Sequence, residues 1–434
     1  MKSKIRFNIG LLVMGSLLLT ACATAIQAAS QASPTPSVEV IEPTKPPAAL
    51  PTAVSKATET PEEVVPEPVE TEKAAGPTAT PIPHADRPPS GAESQFDTDF
   101  SKHSVDYGDI LSGGPPKDGI PAVDEPKFIP VEEADEWLND LEPVAFIQVG
   151  ALTRAYPLQI LMWHEIVNDT VGDFPLVVTF CPLCNTAIVF ERTLDSQVFD
   201  FGTTGRLRYS NLIMYDRQTE TWWQQATGEA IAGDLTGEQL KFYPTALISW
   251  GDFKTNYADG MVLSQDTGFD RNYGLNPYSG YDNVNLSPFL YIGPATPEEL
   301  PAMARVITVD LGEEAVAYPY ELLQDVQVAN DAVAGEEIVV IWAPGVASAL
   351  DATTVSAGRD VGTANAYSRL VNGQLLTFRF EDGRIMDDLT DSEWDVFGRA
   401  VSGELEGTQL TSVVAINHFW FSWAAFKPET RIYQ

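Results

Sequence analysis

The chain repeats itself. Ala155-Tyr156-Pro157 returns as Ala317-Tyr318-Pro319 and Asn168-Asp169 as Asn330-Asp331, each pair 162 positions apart. At the same spacing Leu176-Val177-Val178 falls on Ile338-Val339-Val340, and Pro182 on Pro344. Further along the spacing becomes 172: Ile213-Met214 meets Ile385-Met386, Asp216 meets Asp388 and Trp222 meets Trp394. Gly233, Gly237 and Leu240 then align with Gly403, Gly407 and Leu410, and Ser249-Trp250 and Phe253-Lys254 with Ser422-Trp423 and Phe426-Lys427. Collinear matches on this scale identify a duplicated unit, with copies at 140–263 and 302–434.

Each copy reads as short alternating strands, a short helix and Gly-rich turns. Val144 to Val149 and Val306 to Val309 open the copies as strands, and a Tyr-Pro pair leads into a helix over Leu158 to Val167. Leu176 to Phe180 is apolar throughout and predicts a strand buried on both faces. Ala187 to Arg192 and Val198 to Phe201 form a hairpin turning at Asp195-Ser196, and a helix follows near Ser249 to Asn256. The expected fold is α+β, rich in β, with two tandem similar copies packed as a pseudo-twofold unit.

What precedes residue 96 is not fold. Lys2, Lys4 and Arg6 form a basic start, Asn8 to Leu19 is a short apolar run, and Leu19-Thr20-Ala21-Cys22 resembles a bacterial lipobox. The expectation is a signal peptide over 1–21, removed, with lipid on Cys22 anchoring an exported protein to the extracytoplasmic face of a membrane. Residues 22–95 are dominated by Pro, Thr, Ala, Glu and Val, and read as a disordered tether. The formal net charge of −35 excludes phosphate-tracking nucleic-acid binders, so no nucleic-acid partner is expected. Residues 96–139 form a lead-in. Residues 264–301 form a loop between the copies, and its aromatics and one cation exceed what a passive connector needs.

The reactive residues fall in the first copy. Cys181-Pro182-Leu183-Cys184 follows the apolar strand, and His164-Glu165 lies on the preceding helix. At the 162 spacing His164, Cys181 and Cys184 fall on Val326, Ala343 and Val346, so the second copy lacks all three. Joint absence fits three side chains acting together as ligands of zinc or copper. Glu165 is then the candidate for activating a water. Two further chemistries fit the same pair: a thiol–disulfide redox site, or a structural disulfide in a non-catalytic binding module. A thioredoxin-like arrangement lacks its helix, because Asn185 to Glu191 alternates as a strand. Arg271, Tyr273, Tyr278 and Tyr281 of the connecting loop are expected to lie over the Cys181 site. His84, His103 and His418 carry no assignment. Trp222, Trp223, Trp250, Trp420 and Trp423 read as core, and the motifs of P-loop, serine hydrolase and zincin chemistry are absent from the sequence.

Several segments, in order, resemble one bacterial family, that of the domain of unknown function 3179. They are Gly113 to Pro121, Trp163-His164-Glu165-Ile166-Val167-Asn168-Asp169, Cys181 to Ala187, Leu212 to Arg217 and Asn276-Pro277-Tyr278. The resemblance runs from about Asp106 to the C-terminus. It implies an exported or membrane-attached bacterial domain with the duplication as a family trait, and it implies no activity.

Overall fold

The computed structural model describes residues 86–434; the signal segment, Cys22, His84 and the tether up to residue 85 lie outside the described residues. Residues just before 96 are packed against the fold. Ala92 is fully buried, and Ser90 gives its carbonyl to the Arg206 guanidinium at 2.9 Å. The lead-in packs Phe96, Phe100 and Tyr107 around Trp222, edge-on in each measured ring pair.

The architecture is β-rich with short helices. In the region 143–263, one sheet orders Ala246–Ser249, Pro143–Val149, Leu152–Pro157, Met261–Leu263 and Phe128–Pro130. A second orders Lys241–Tyr243, Thr186–Glu191, Phe174–Cys181 and Ile166–Val171. A third orders Ile110–Ser112, Phe201–Arg208, Asn211–Asp216, Trp222–Gln224 and Ala230–Ala232. In the region 305–432 the corresponding orders are Ala415–Phe419, Arg305–Asp310, Ala315–Pro319, Arg431–Ile432; then Val328–Val333, Glu336–Ala343, Thr363–Ser368, Ser412–Val413. The last is Phe378–Glu381, Arg384–Asp387, Glu393–Trp394, Ala400–Ser402. Among the described residues no helix is long and apolar enough to cross a membrane.

The two regions also share particular hydrogen bonds. Asn168 accepts from the Phe201 N–H and donates to its carbonyl; Asn330 does both with Phe378. Asp216 accepts from Thr219 and from the Trp223 indole; Asp387 accepts from Thr390 and the Trp394 indole. Asp216 therefore corresponds to Asp387, and Trp223 to Trp394. The spacing of 172 read from Ile213-Met214 and Ile385-Met386 is one residue off. In a strand that slip exchanges the two faces. The error came from aligning side chains that look alike but face opposite ways.

The short helix Leu158–His164 stops one turn earlier than the sequence suggested. Glu165, its C-cap, adopts a left-handed conformation (φ 58°), which ends the helix and releases Ile166 into a strand. Gln327 does the same after Tyr320–Val326 (φ 59°), so the bend belongs to the fold and not to the chemistry.

One core joins the two regions. Tyr156, Leu161, Val178 and Phe180 pack in the same cluster as Leu350, Val355, Phe419 and Phe421. Thr363 also donates to the Leu247 carbonyl.

Candidate functional site

The first-region chemistry is built at a strand end. Phe174–Cys181 is buried along most of its length, and its last residue is Cys181. Pro182–Cys184 forms a single 3-10 turn, closed by Asn185 in a left-handed conformation (φ 52°), before Thr186 starts the return strand. This four-residue link sets both thiols side by side. Cys181 and Cys184 are free and buried, and both sulfurs lie near the Ser210 carbonyl, at 3.7 and 3.4 Å. Ser210 is presented by a two-residue hairpin turn in which Tyr209 and Ser210 both have positive φ (54° and 64°).

Around Cys184 lies a buried amide network that the sequence reading missed. Asn211 donates to the Cys184 sulfur at 3.4 Å and to Gln225 at 2.8 Å. Gln224 donates to Asn211, and Gln225 to the Thr179 hydroxyl. All of these amides are fully buried. The signal was there: Gln224-Gln225 directly follow two core tryptophans, where exposed polar residues are not expected.

Cys181 opens onto a cavity of about 500 Å³, a volume in the range of small-molecule sites. Glu165 lines the same cavity. Burial pushes its carboxyl up to about 8. Its backbone N–H bonds the Leu161 carbonyl, its own carbonyl accepts from Phe180, and its carboxyl meets no hydrogen-bonding protein group among the described residues. Burial, followed by the hydrogen bond that the Cys181 thiol donates to Cys184, holds the Cys181 thiol well above its ordinary pKa, and the Glu165 charge adds to this.

His164 does not join the thiols. Its Nδ1 lies 2.7 Å from the Pro121 carbonyl and must donate there, which leaves Nε2 to accept from the Tyr273 hydroxyl at 2.6 Å. The metal site expected from His164, Cys181 and Cys184 is therefore absent from this geometry. Among the described residues no three His, Cys, Asp or Glu side chains converge as ligands. The physical cause is the left-handed bend at Glu165, which parts the neighbours: His164 goes to the loop and Glu165 to the cavity.

The connecting loop supplies much of the roof. Tyr278 and Tyr281 line the cavity with Cys181 and Glu165, while Tyr273 bonds His164. Arg271 is half-buried beside Phe269; its charge adds to burial in lowering the His164 pKa. The roof is tied down at three points. Ser210 donates to the Phe289 carbonyl, the Asn276 N–H donates to the Thr353 carbonyl, and Asp282 accepts from Arg305 and Ser348. A lead-in segment completes the wall. Gly205 (φ +66°) sits so close to the chain that a Cβ there would lie 2.0 Å from the Pro115 carbonyl.

The remaining histidines are placed apart. His103 bonds the Val105 carbonyl near the surface. His418 is buried on Ala415–Phe419, bonded at Nδ1 to the Thr186 hydroxyl, and burial lowers its pKa to about 3.

The profile of the family described as protein of unknown function (DUF3179) matches residues 117–430, well over half of the chain. No curated protein and no solved structure matches.

Proposed function

The chain belongs to the DUF3179 family, whose function is unknown, and for this member we propose a two-electron dithiol–disulfide redox site at Cys181 and Cys184. One observation carries the reading: two free thiols share a carbonyl at the foot of a cavity that also holds an unpartnered carboxyl. Cys181 borders the cavity and is the sulfur that meets the reactant. Cys184, fully buried behind it, closes the disulfide. Glu165 accepts the Cys181 proton, as a carboxyl raised to about 8 does far better than one at its ordinary value. Burial that keeps Cys181 a thiol denies the reduced form the thiolate stabilisation that makes a low-pKa pair strongly oxidising, so we assign this pair to the reductant side.

The test is oxidation of the reduced chain by diamide, followed by mass spectrometry and thiol alkylation. An internal Cys181–Cys184 disulfide, lost in Cys181→Ser, is the expected product. Two free thiols after excess diamide end the reading. Two thiolates also suit Cu(I) without a third ligand. Stoichiometric copper that blocks alkylation of both sulfurs favours that second reading.

Two expectations join the proposal on sequence grounds. The mature protein is anchored by lipid on Cys22, which labelling with palmitate tests. The regions 140–263 and 302–434 are duplicated copies related by a pseudo-twofold, a reading supported by their common element order and hydrogen bonds.

A further inference from the structure

We propose that the oxidant of Cys181 and Cys184 is a neutral, lipophilic p-quinone, bound in the cavity with one carbonyl oxygen between Glu165 and Tyr278. This rests on the dithiol reading above and names its reactant.

Burial excludes the usual partner of such a pair. Cys181 is 2% exposed and Cys184 0%, so the disulfide of a folded protein does not reach either sulfur. The electron acceptor has to fit a cavity of about 500 Å³. The walls then select its chemistry. Leu183, Leu207, Leu212, Pro277 and Leu286 make them apolar. Arg206 borders the cavity, but its guanidinium bonds Ser90 and Ser112. Arg206 pairs across the hairpin with Ile213, which packs in a different cluster from Leu212, so that charge faces away and serves no anionic ligand.

The polar groups left are few. The Glu165 carboxyl and the Tyr278 hydroxyl both border the cavity without a protein hydrogen-bond partner among the described residues, and the charges of Glu165 and Cys181 are both felt at Tyr278. One hydroxyl donor, and a carboxyl that becomes a donor once it has taken the thiol's proton, in an otherwise apolar pocket, match a flat ligand with a carbonyl oxygen and an electrophilic ring. The mouth fits entry from an apolar phase: Phe289 is 58% exposed and Leu286 43%, both on the cavity rim.

The chemistry balances. The Cys181 thiol gives its proton to Glu165, and its sulfur adds to a ring carbon. Glu165 returns that proton to the near carbonyl oxygen. The Cys184 sulfur, losing its proton to solvent, attacks the Cys181 sulfur. The S–C bond breaks with its electron pair on the ring, and the second oxygen takes a proton from solvent. Two S–H bonds are lost, one S–S bond is formed, and hydroquinone leaves.

The test uses the full chain, reduced and freed of reductant under anaerobic conditions, with duroquinone. Every ring position of duroquinone carries a methyl group, which blocks stable thioether formation. The expected result is one quinone reduced per chain, at a rate that saturates with quinone concentration, with loss of two hydrogens in the protein mass. Cys181→Ser should abolish it. Glu165→Gln should slow it by about 100-fold or more, and Tyr278→Phe by about 10-fold. Circular dichroism checks that both variants still fold, and oxidation by diamide that they keep the dithiol. If diamide makes the disulfide and duroquinone does not, the quinone inference falls and the dithiol reading stands. If neither makes it, both fall. A rate that does not saturate and ignores Glu165 and Tyr278 also overturns the inference.

Discussion

Between Phe174–Cys181 and its return strand the first region spends four residues, Pro182 to Asn185, and they hold the thiol pair. At the same place the second region, between Glu336–Ala343 and Thr363–Ser368, spends nineteen, 344 to 362. The next hairpin reverses the difference. Phe201 to Asp216 covers fifteen steps, and Phe378 to Asp387 nine. The first region's longer hairpin carries Gly205, Leu207 and Leu212, a wall of the cavity, and Ser210, which bonds the roof at Phe289. The second region's longer loop carries Ser348 and Thr353, which hold the roof over that cavity. Similar strand orders thus carry the candidate site in one region and its brace in the other.

The comparison is easiest to break at the brace. Asp282 is 3% exposed, and Arg305 and Ser348 hold it from the second region. Asp282→Asn leaves Arg305 without its carboxylate and should destabilise the chain by about 3–5 kcal/mol in urea titration. Alkylation of Cys181 should accelerate in the same variant. Unchanged alkylation would show that the roof stands without its brace.

The shared framework is tested by a matched pair. Asp216→Ala and Asp387→Ala each strand a buried Trp indole and a Thr hydroxyl. Each should cost about 2–4 kcal/mol, and the two should agree within about 1 kcal/mol. A large cost at one and none at the other would deny that the positions correspond.

A third test installs the second region's residue in the first. Glu165→Gln copies Gln327, which has the same backbone conformation. The folded carboxyl titrates near 8, against an ordinary value of 4.5. The unfolded chain therefore loses its proton first, and stability declines as pH rises from about 4.5 to about 8. The variant should melt close to the parent at pH 4 and well above it at pH 8. His418 works in the opposite sense. Titrating near 3 when folded, it removes stability as pH falls from about 6.5 toward 3. The smallest effect is expected at Thr186→Val, which removes the hydroxyl between His418 and the Cys184 carbonyl, at about 1 kcal/mol.

The β-rich framework was readable because apolar runs such as Leu176 to Phe180 declare a buried strand, and Tyr156 and Tyr318 are both fully buried. The Cys pair and the covering role of Tyr278 and Tyr281 were also visible, since thiols and aromatic loops stand out in an acidic chain. The partner of the thiols was not. His164 and Glu165 are adjacent, and which one faces the sulfur depends on a left-handed residue that no side-chain pattern announces, because Glu is not a usual C-cap. Register across the second hairpin failed for a related reason. Alike residues on opposite faces mimic a match until hydrogen bonds fix the pairing.

The bond from Thr186 to His418 joins positions 232 residues apart, and Ser422 reaches the Cys184 carbonyl from nearly the same distance along the chain. A ribosome that adds residues one by one delivers the thiols long before it delivers the strand that closes behind them. Contacts of such separation form late in folding. The cysteines are therefore open to solvent for most of synthesis, and the redox state in which the cavity is first sealed is set by the surroundings in which the last twenty residues arrive.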